Sequence, residues 1–246
     1  MDYSFPVIYN ISQILKELKK EDHNIINQDE FCIVNCSSSE TPLLREIRGL
    51  AFNLEGNIIA RPYHQAFTLD QSFETNFDKI IKKLKNLNVF LEKLDGVMVY
   101  PVPTPYGYRL TTKNGINSTS FNAEVFIANK TYYNEFIKIC LAKNCTPIFE
   151  WCSPNDKIVV EYPEENLVLT GLRNIKTGVY CKYMFLRKLA VNLKIPVVNK
   201  MCVNYYEISQ YIDEIKNQQD AEGVVVRFDS GHMFYIKSEA YLQKKS

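Results

Sequence analysis

Asn88-Val89-Phe90-Leu91-Glu92-Lys93-Leu94-Asp95-Gly96-Val97-Met98-Val99-Tyr100 is the stretch on which the reading of this chain turns. Residues 88–91 and 97–100 are apolar, strand-forming runs, and Lys93-Leu94-Asp95-Gly96 lies between them. A lysine at a strand end beside a tight turn is held at the mouth of a pocket. Lysine is a nucleophile only as the free amine, so such a site must lower its pKa through desolvation or nearby positive charge. On these residues alone the reading is a charged hairpin, with Asp95-Gly96 as its turn. Whether Lys93 does chemistry depends on what the rest of the chain brings to it.

The chain has 246 residues, 46% hydrophobic and 23% charged, which is the balance of a globular protein able to bury a substantial core. No basic segment followed by an apolar run opens it, and no apolar run is long enough to cross a bilayer. A cytoplasmic protein with no membrane partner is therefore expected. Seven scattered cysteines without a C-x-x-C pair, and His23, His64 and His232 far apart, favour reduced thiols over a zinc site. A net charge of +1 leaves any nucleic-acid binding to a local basic groove.

Apolar periodicity predicts helices over residues 11–21, 72–87, 123–128, 132–142, 183–193 and 205–216. Strands are predicted at 31–34, 50–52, 58–60, 89–91, 97–100, 108–112, 147–151, 167–172, 223–228 and 233–236. Antiparallel hairpins with helices between them, and strand connections too short for crossovers, indicate an α+β fold. A single domain over 1–246 is expected, with 1–47 as a helix and strand extension packed on it.

Charged residues interrupt or end several of these strands. Glu150 lies between Phe149 and Trp151, Glu222-Gly223 heads Val224-Val225-Val226, and Lys237 ends Phe234-Tyr235-Ile236. Lys113 ends the strand that follows the Lys93 hairpin, while Arg48-Gly49 opens one further strand and Arg61-Pro62 closes its partner. Singly, each is a strand-end charge reaching solvent. Together they are what a nucleoside triphosphate requires: carboxylates for a divalent metal and cations for phosphate oxygens.

The ordered set Arg48-Gly49, Arg61-Pro62, Lys93-Leu94-Asp95-Gly96, Lys113, Phe149-Glu150, Glu222-Gly223 and Lys237 resembles the covalent nucleotidyltransferases. That superfamily holds the ATP-dependent DNA and RNA ligases and the GTP-dependent capping enzymes, and the chain is most similar to the RNA ligase 1 family. The discriminating part is Arg48-Gly49-Leu50-Ala51-Phe52 with Ala60-Arg61-Pro62-Tyr63-His64-Gln65-Ala66-Phe67. Val97-Met98-Val99 offers no arginine of the kind that follows K-x-D-G in DNA ligases and capping enzymes.

The resemblance runs from about Arg48 to Tyr241 and implies a nucleotidyltransferase domain of antiparallel sheets with flanking helices. It implies that Lys93 attacks the α-phosphate of ATP to form a lysyl-AMP and release pyrophosphate. AMP then passes to an RNA 5′-phosphate, and a 3′-hydroxyl displaces it to seal the strand. Lys113 and Lys237 would meet the AMP phosphate, Arg48 the leaving phosphates, and Asp95-Gly96 would shape the hairpin and the metal's waters. Glu222 and Glu150 would serve Mg2+ or Mn2+, Glu150 also reaching the ribose. RNA with a 5′-phosphate and a 3′-hydroxyl is the implied substrate, with an end-healing kinase or phosphatase as partner. Lys113, Lys237 and the metal would depress the Lys93 pKa.

The chain departs from the family at Gln65 and Tyr235, which stand where lysines are usual, and at Val97, where a serine is common. Two cations are thereby missing near phosphates, where a charge-assisted contact is worth about 1.5–3 kcal/mol. His64, Lys157 and Arg173 are cations with no assigned place. The last motif falls close to Ser246, so no C-terminal OB domain is expected. Trp151 suits an adenine-pocket wall and a core equally. Tyr132-Tyr133 and Tyr205-Tyr206 read as helix packing rather than base stacking, and Lys79, Lys82, Lys83 and Lys85 as a solvated helix face. A capping-type guanylyltransferase and a DNA ligase are the other enzyme readings. Gln65 and Tyr235 favour a third, a relative that binds nucleotide or RNA without sealing it.

Overall fold

The strands flanking Asp95-Gly96 do not pair with each other. In the computed structural model, which describes residues 4–19, 21–156 and 158–245, they belong to different sheets, and Lys93-Leu94-Asp95-Gly96 is the crossing between them.

In chain order, α1 (Ser12–Leu15), β1 (His23–Asn27), β2 (Phe31–Cys36), α2 (Pro42–Glu46), β3 (Arg48–Asn53) and β4 (Ile58–Ala60) come first. The four strands form an antiparallel sheet in the order β1-β2-β3-β4. Next are β5 (Phe67–Thr68), α3 (Phe77–Lys83), β6 (Asn88–Lys93), β7 (Val97–Thr104), β8 (Gly107–Thr111), α4 (Ser118–Ile127) and α5 (Thr131–Ala142). The chain continues through β9 (Cys145–Cys152), β10 (Asn166–Asn174), α6 (Tyr183–Asn192), α7 (Ile208–Asn217), β11 (Gly223–Phe228), β12 (Met233–Lys237) and α8 (Glu239–Lys245). A second sheet runs β10-β9-β7-β8 and a third β5-β12-β11-β6.

Strand alternation decides what each sheet covers. On the second sheet, Val99, Phe149, Trp151, Leu167 and Leu169 pack with Ala123, Phe136, Ile137, Leu186 and Ala190 of the helices. On the third, Phe90, Val224, Val226, Phe234 and Ile236 pack with Ile80, Ile212 and Ile215. The other faces of these two sheets look toward each other, joined by Ile148 and Met98 from one side and Val225, Met233 and Tyr235 from the other. The first sheet leans on β7 through Ile33, Ala51 and Ala60 against Tyr100 and Val102. The α+β reading thus stands, as sheets that are antiparallel apart from the parallel β5–β12 pair, with flanking helices.

Three sequence expectations need correction. Asp95-Gly96 is not a hairpin turn, and Gly96 is not among the positive-φ glycines. Glycine is required there because β9 passes so close that a Cβ would lie 2.3 Å from the Trp151 carbonyl oxygen. The helix expected over 72–87 is split into a 3-10 turn, Phe73–Thr75, and α3. Thr75 is buried with its hydroxyl donating to the Thr68 carbonyl at 2.8 Å, and Asp70 caps Phe77 N–H at 2.8 Å, so Phe73 turns out to solvent. The helix expected over 11–21 shrinks to α1, which buries Ile14 before the chain turns into β1.

α2 is marked by its cap rather than by apolar periodicity: Thr41 accepts a hydrogen bond from Leu44 N–H at 3.2 Å, and Pro42 stands in the first helical position. Its last residue, Glu46, is buried between two arginines. Arg61 donates to it from Nε at 2.9 Å and Arg173 from Nη2 at 2.9 Å. The remaining guanidinium donors are satisfied too, Arg61 by the carbonyls of Lys176 and Pro6 and Arg173 by those of Gly178 and Pro62. Burial, and secondarily Arg173, pulls the Arg61 pKa down to about 10. Among the described residues no helix is long and apolar enough to cross a membrane.

Candidate active site

The third sheet presents three cross-strand rungs to the space between the sheets. Lys93 on β6, Gly223 on β11 and Lys237 on β12 stand in register on the first. Leu91, Val225 and Tyr235 form the second, and Val89, Arg227 and Met233 the third. Glu222 sits where the chain enters β11, with its carboxylate 2.7 Å from Lys93 Nζ and 3.8 Å from Lys237 Nζ. Gly223, at φ +137°, is a glycine by necessity: a Cβ would fall 2.0 Å from the Ile236 carbonyl oxygen and push apart the strands carrying both lysines.

The second sheet supplies the opposite wall. Glu150 on β9 pairs in register with Met98 on β7. Together with the rung residues other than Val89 and Gly223 they bound a cavity of about 440 Å3. Of the expected set, Arg48, Lys93, Gly96, Lys113, Glu150, Glu222 and Lys237 all line it. Asp95 does not. It is buried, and its Oδ2 accepts backbone N–H bonds from Ile158, Val159 and Val160 at 2.8, 2.5 and 2.9 Å. Its work is to pin that loop and, through it, the crossing that carries Lys93.

Lys113 follows β8 and is steadied by Asn35, whose side-chain amide donates to its carbonyl at 2.6 Å. Arg48 opens β3, so the first sheet contributes to the cavity as well. Lys245, at the end of α8, also reaches it and lies 3.3 Å from the Tyr241 hydroxyl. Arg48, Lys113, Lys237 and Lys245 therefore cluster within electrostatic reach of one another, and Leu91, Met98, Val198, Val225 and Met233 add an apolar part to the lining.

The electrostatics differ from expectation. Burial is the largest influence on Lys93 and lowers its pKa, but Glu222, Glu150 and Tyr235 together outweigh it, so the net shift is upward. The nearest charge is the Glu222 carboxylate, not the cationic cluster, and Lys93 stands as an ammonium paired to it. Lys237 is shifted down by burial and then by Lys93, and Lys113 down by burial and then by Arg48.

Burial pushes the Glu150 carboxyl up to about 8, with Glu222 adding to the rise and Lys93 opposing it. This carboxyl holds its proton more tightly folded than unfolded. Its contribution to stability is complete below the ordinary carboxylate range and is lost as the pH climbs through about 8. Glu150→Gln is thus expected to melt above the wild type, by a margin that widens from pH 5 to pH 9. A margin independent of pH would count against this environment for Glu150.

Two hard oxygen donors on one cavity fit Mg2+ or Mn2+. Among the described residues no group of three or more His, Cys, Asp or Glu could hold a metal ion. Glu150 and Glu222 would thus share it with water and phosphate oxygens, as Mg2+ commonly requires. When bound, such an ion supplies positive charge to phosphate oxygens.

Several expected cations lie elsewhere. Arg61 and Arg173 pair with Glu46 and do not line the cavity. His64 is buried against the Tyr180 hydroxyl at 2.9 Å, and Gln65 does not line the cavity. Lys157 lies outside the described residues. Trp151 belongs to the core, its indole N–H donating to Asp156 at 3.1 Å. Tyr133 packs in that core as expected, whereas Tyr206 is fully exposed. Sequence reasoning missed Tyr63, Tyr241, Arg227 and Lys245 as lining residues. For Arg227 a signal existed: it shares the strand face of Gly223 and Val225 at two-residue spacing.

This lysine-bearing cavity between antiparallel sheets defines a nucleotidyltransferase domain of the ligase type. A family model for RNA ligase matches residues 46–242, and the chain belongs to that family. A Thermovibrio ammonificans protein provisionally named RNA ligase is 33% identical over 199 residues, 79% of this chain and 50% of its own. This chain thus spans about half the length of that relative. An archaeal ATP-dependent RNA ligase superposes with a TM-score of 0.65 at 14% identity, over 94% of this chain and 62% of that one. A mutant Naegleria gruberi RNA ligase solved with ATP and Mn gives 0.56 at 18% identity, over 72% and 56%. At such identities the two structures speak for the fold.

Proposed function

We propose that the chain is the nucleotidyltransferase part of an ATP-dependent RNA ligase that works through a lysyl-AMP on Lys93. The observation that carries this reading is the first rung: Lys93 and Lys237 flank Gly223, with the Glu222 carboxylate 2.7 Å from Lys93 Nζ and Glu150 on the same cavity. The family membership and the fold support it.

Attack requires the free amine, so Lys93 must give its proton to solvent and part from Glu222. Its lone pair then forms the N–P bond at the α-phosphorus while the bond to the bridging oxygen breaks and pyrophosphate leaves. An RNA 5′-phosphate oxygen takes the AMP from Lys93, breaking the N–P bond. A 3′-hydroxyl next attacks the activated 5′-phosphate and releases AMP. Lys113 and Lys237 neutralise the transferred phosphate, and Arg48 orients the leaving one. Positioning and charge neutralisation are most of what such transfers require. Lys245, at the cationic end, offsets part of the charge missing at Tyr235.

The test is incubation with a divalent metal and each α-labelled nucleoside triphosphate, followed by denaturation. Label retained from ATP supports the ligase reading, and label from GTP alone would replace it with a capping-type transferase. No retained label from any nucleotide would remove both. Because Tyr235 leaves the triphosphate with fewer cations than is usual, pre-adenylylated RNA is expected to be sealed faster than RNA supplied with ATP. Equal rates would show that the cationic end is sufficient as built.

A further inference from the structure

The third rung carries a group that the transfer chemistry leaves unused. Arg227 is 5% exposed and lies behind Val225, lining this cavity and also a second one beside Tyr180 and Phe228. Its Nη2 donates to the Tyr63 hydroxyl at 2.9 Å and to the Thr170 carbonyl on the facing sheet at 3.0 Å. Nε and Nη1 are buried with no hydrogen-bond partner. A buried donor without an acceptor is costly, and a guanidinium is costlier still, so the arrangement asks for an acceptor from outside the chain.

The rungs indicate which acceptor. Positions two residues apart along a strand are about 6.4–6.8 Å apart on the same face. A nucleotide whose α-phosphorus meets Lys93 on the first rung lays its base over Leu91 and Val225 on the second. The base's outer edge then arrives at the third, where Arg227 waits. The phosphates lie at the opposite end, among Arg48, Lys113, Lys237 and Lys245. Arg227 is therefore placed for an uncharged acceptor on the base. Arginine has donors only, so it accepts a purine edge that offers a ring nitrogen or carbonyl and penalises one that offers only an N–H.

We propose that Arg227 reads the outer edge of the nucleotide base, donating to a ring-nitrogen acceptor of adenine, and so helps to set which nucleotide is loaded onto Lys93. This rests on the nucleotide-transfer reading above.

The test uses 1-deaza-, 3-deaza- and 7-deaza-ATP, each lacking one ring nitrogen, in the formation of labelled Lys93 adduct. With the wild-type protein, one analogue is expected to show a KM at least about tenfold above that of ATP, with kcat little changed, since a charge-assisted hydrogen bond is lost. Arg227→Met should raise the KM for ATP by a similar factor and no longer separate that analogue from ATP. Arg227→Lys keeps the buried charge but moves the donors, and should shrink the penalty even if the methionine variant does not fold. Equal KM for ATP and all three analogues in the wild type would overturn the inference alone. So would a deaza penalty that persists undiminished in the folded variants. Absence of any adduct from ATP would instead overturn the nucleotide reading, and this inference with it.

Discussion

Lys93→Ala is expected to abolish retention of label from α-labelled ATP, a fall of at least about 10^4-fold, the scale on which loss of a covalent nucleophile acts. Lys93→Arg should fail equally, since a guanidinium does not deprotonate in this range. The loss should be chemical rather than structural. The Lys93 side chain is 19% exposed at the cavity, and Lys237, at 3.8 Å, remains beside Glu222 as a counter-ion. Both variants are expected to melt near the wild type and to keep some sealing of pre-adenylylated RNA, which needs no N–P bond on lysine. In the wild type, Glu222 and Glu150 hold Lys93 above its ordinary pKa, so the reactive amine is scarce at neutral pH. The single-turnover rate of adduct formation should therefore climb with pH from 6 to 9. Persistent label in Lys93→Ala, or a flat pH profile, would assign the adduct to another residue.

The largest effect on stability is expected at Glu46, outside the cavity. Its carboxylate is fully buried and pairs with two fully buried arginines, at 2.8 Å from Arg61 and 2.7 Å from Arg173. Glu46→Ala would leave two guanidiniums in the interior without a counter-ion. Removing one partner from such a group costs about 3–5 kcal/mol, mostly because the orphaned charge remains desolvated. For a chain of this size each kcal/mol shifts the midpoint by about 2–4 °C, so a fall of roughly 6–20 °C is expected. Glu46→Gln keeps an acceptor and should lose less. A thermal melt of Glu46→Ala within 2 °C of the wild type would mean that water reaches the arginines. The triad ties the end of α2 and the residue after β4 to β10, two residues before Arg48 at the cavity.

Most strands were legible because alternation and β-branched runs are local properties. The broken helix at 72–87 was not. Its apolar spacing is helical, but burial of Thr75 and capping by Asp70 depend on contacts with β5 and the turn after it. Nor could the chain report that Arg61 and Arg173 share a carboxylate, since 111 residues separate Arg173 from the Pro62 carbonyl it also holds. Among strand-end charges, those that reach the cavity and those that vanish into the core look alike in one dimension. Asp95 shows the same limit: its place in a four-residue motif was plain, and its use as an acceptor for three backbone amides was not.

By itself the sequence determined the α+β class, the nucleophile candidate Lys93 and the ordered carboxylates and cations that carry the family. These follow from residue type and spacing, which folding does not change. Only the tertiary structure decided that Lys93-Leu94-Asp95-Gly96 is a crossing between sheets rather than a hairpin. Pairing partners are chosen by which apolar faces bury against which, and β6 finds β11 while β7 finds β9. The direction of the Lys93 shift was likewise decided in three dimensions. A charge acts by distance, and the carboxylate 2.7 Å away, 129 residues further along the chain, outweighs every cation nearer in sequence.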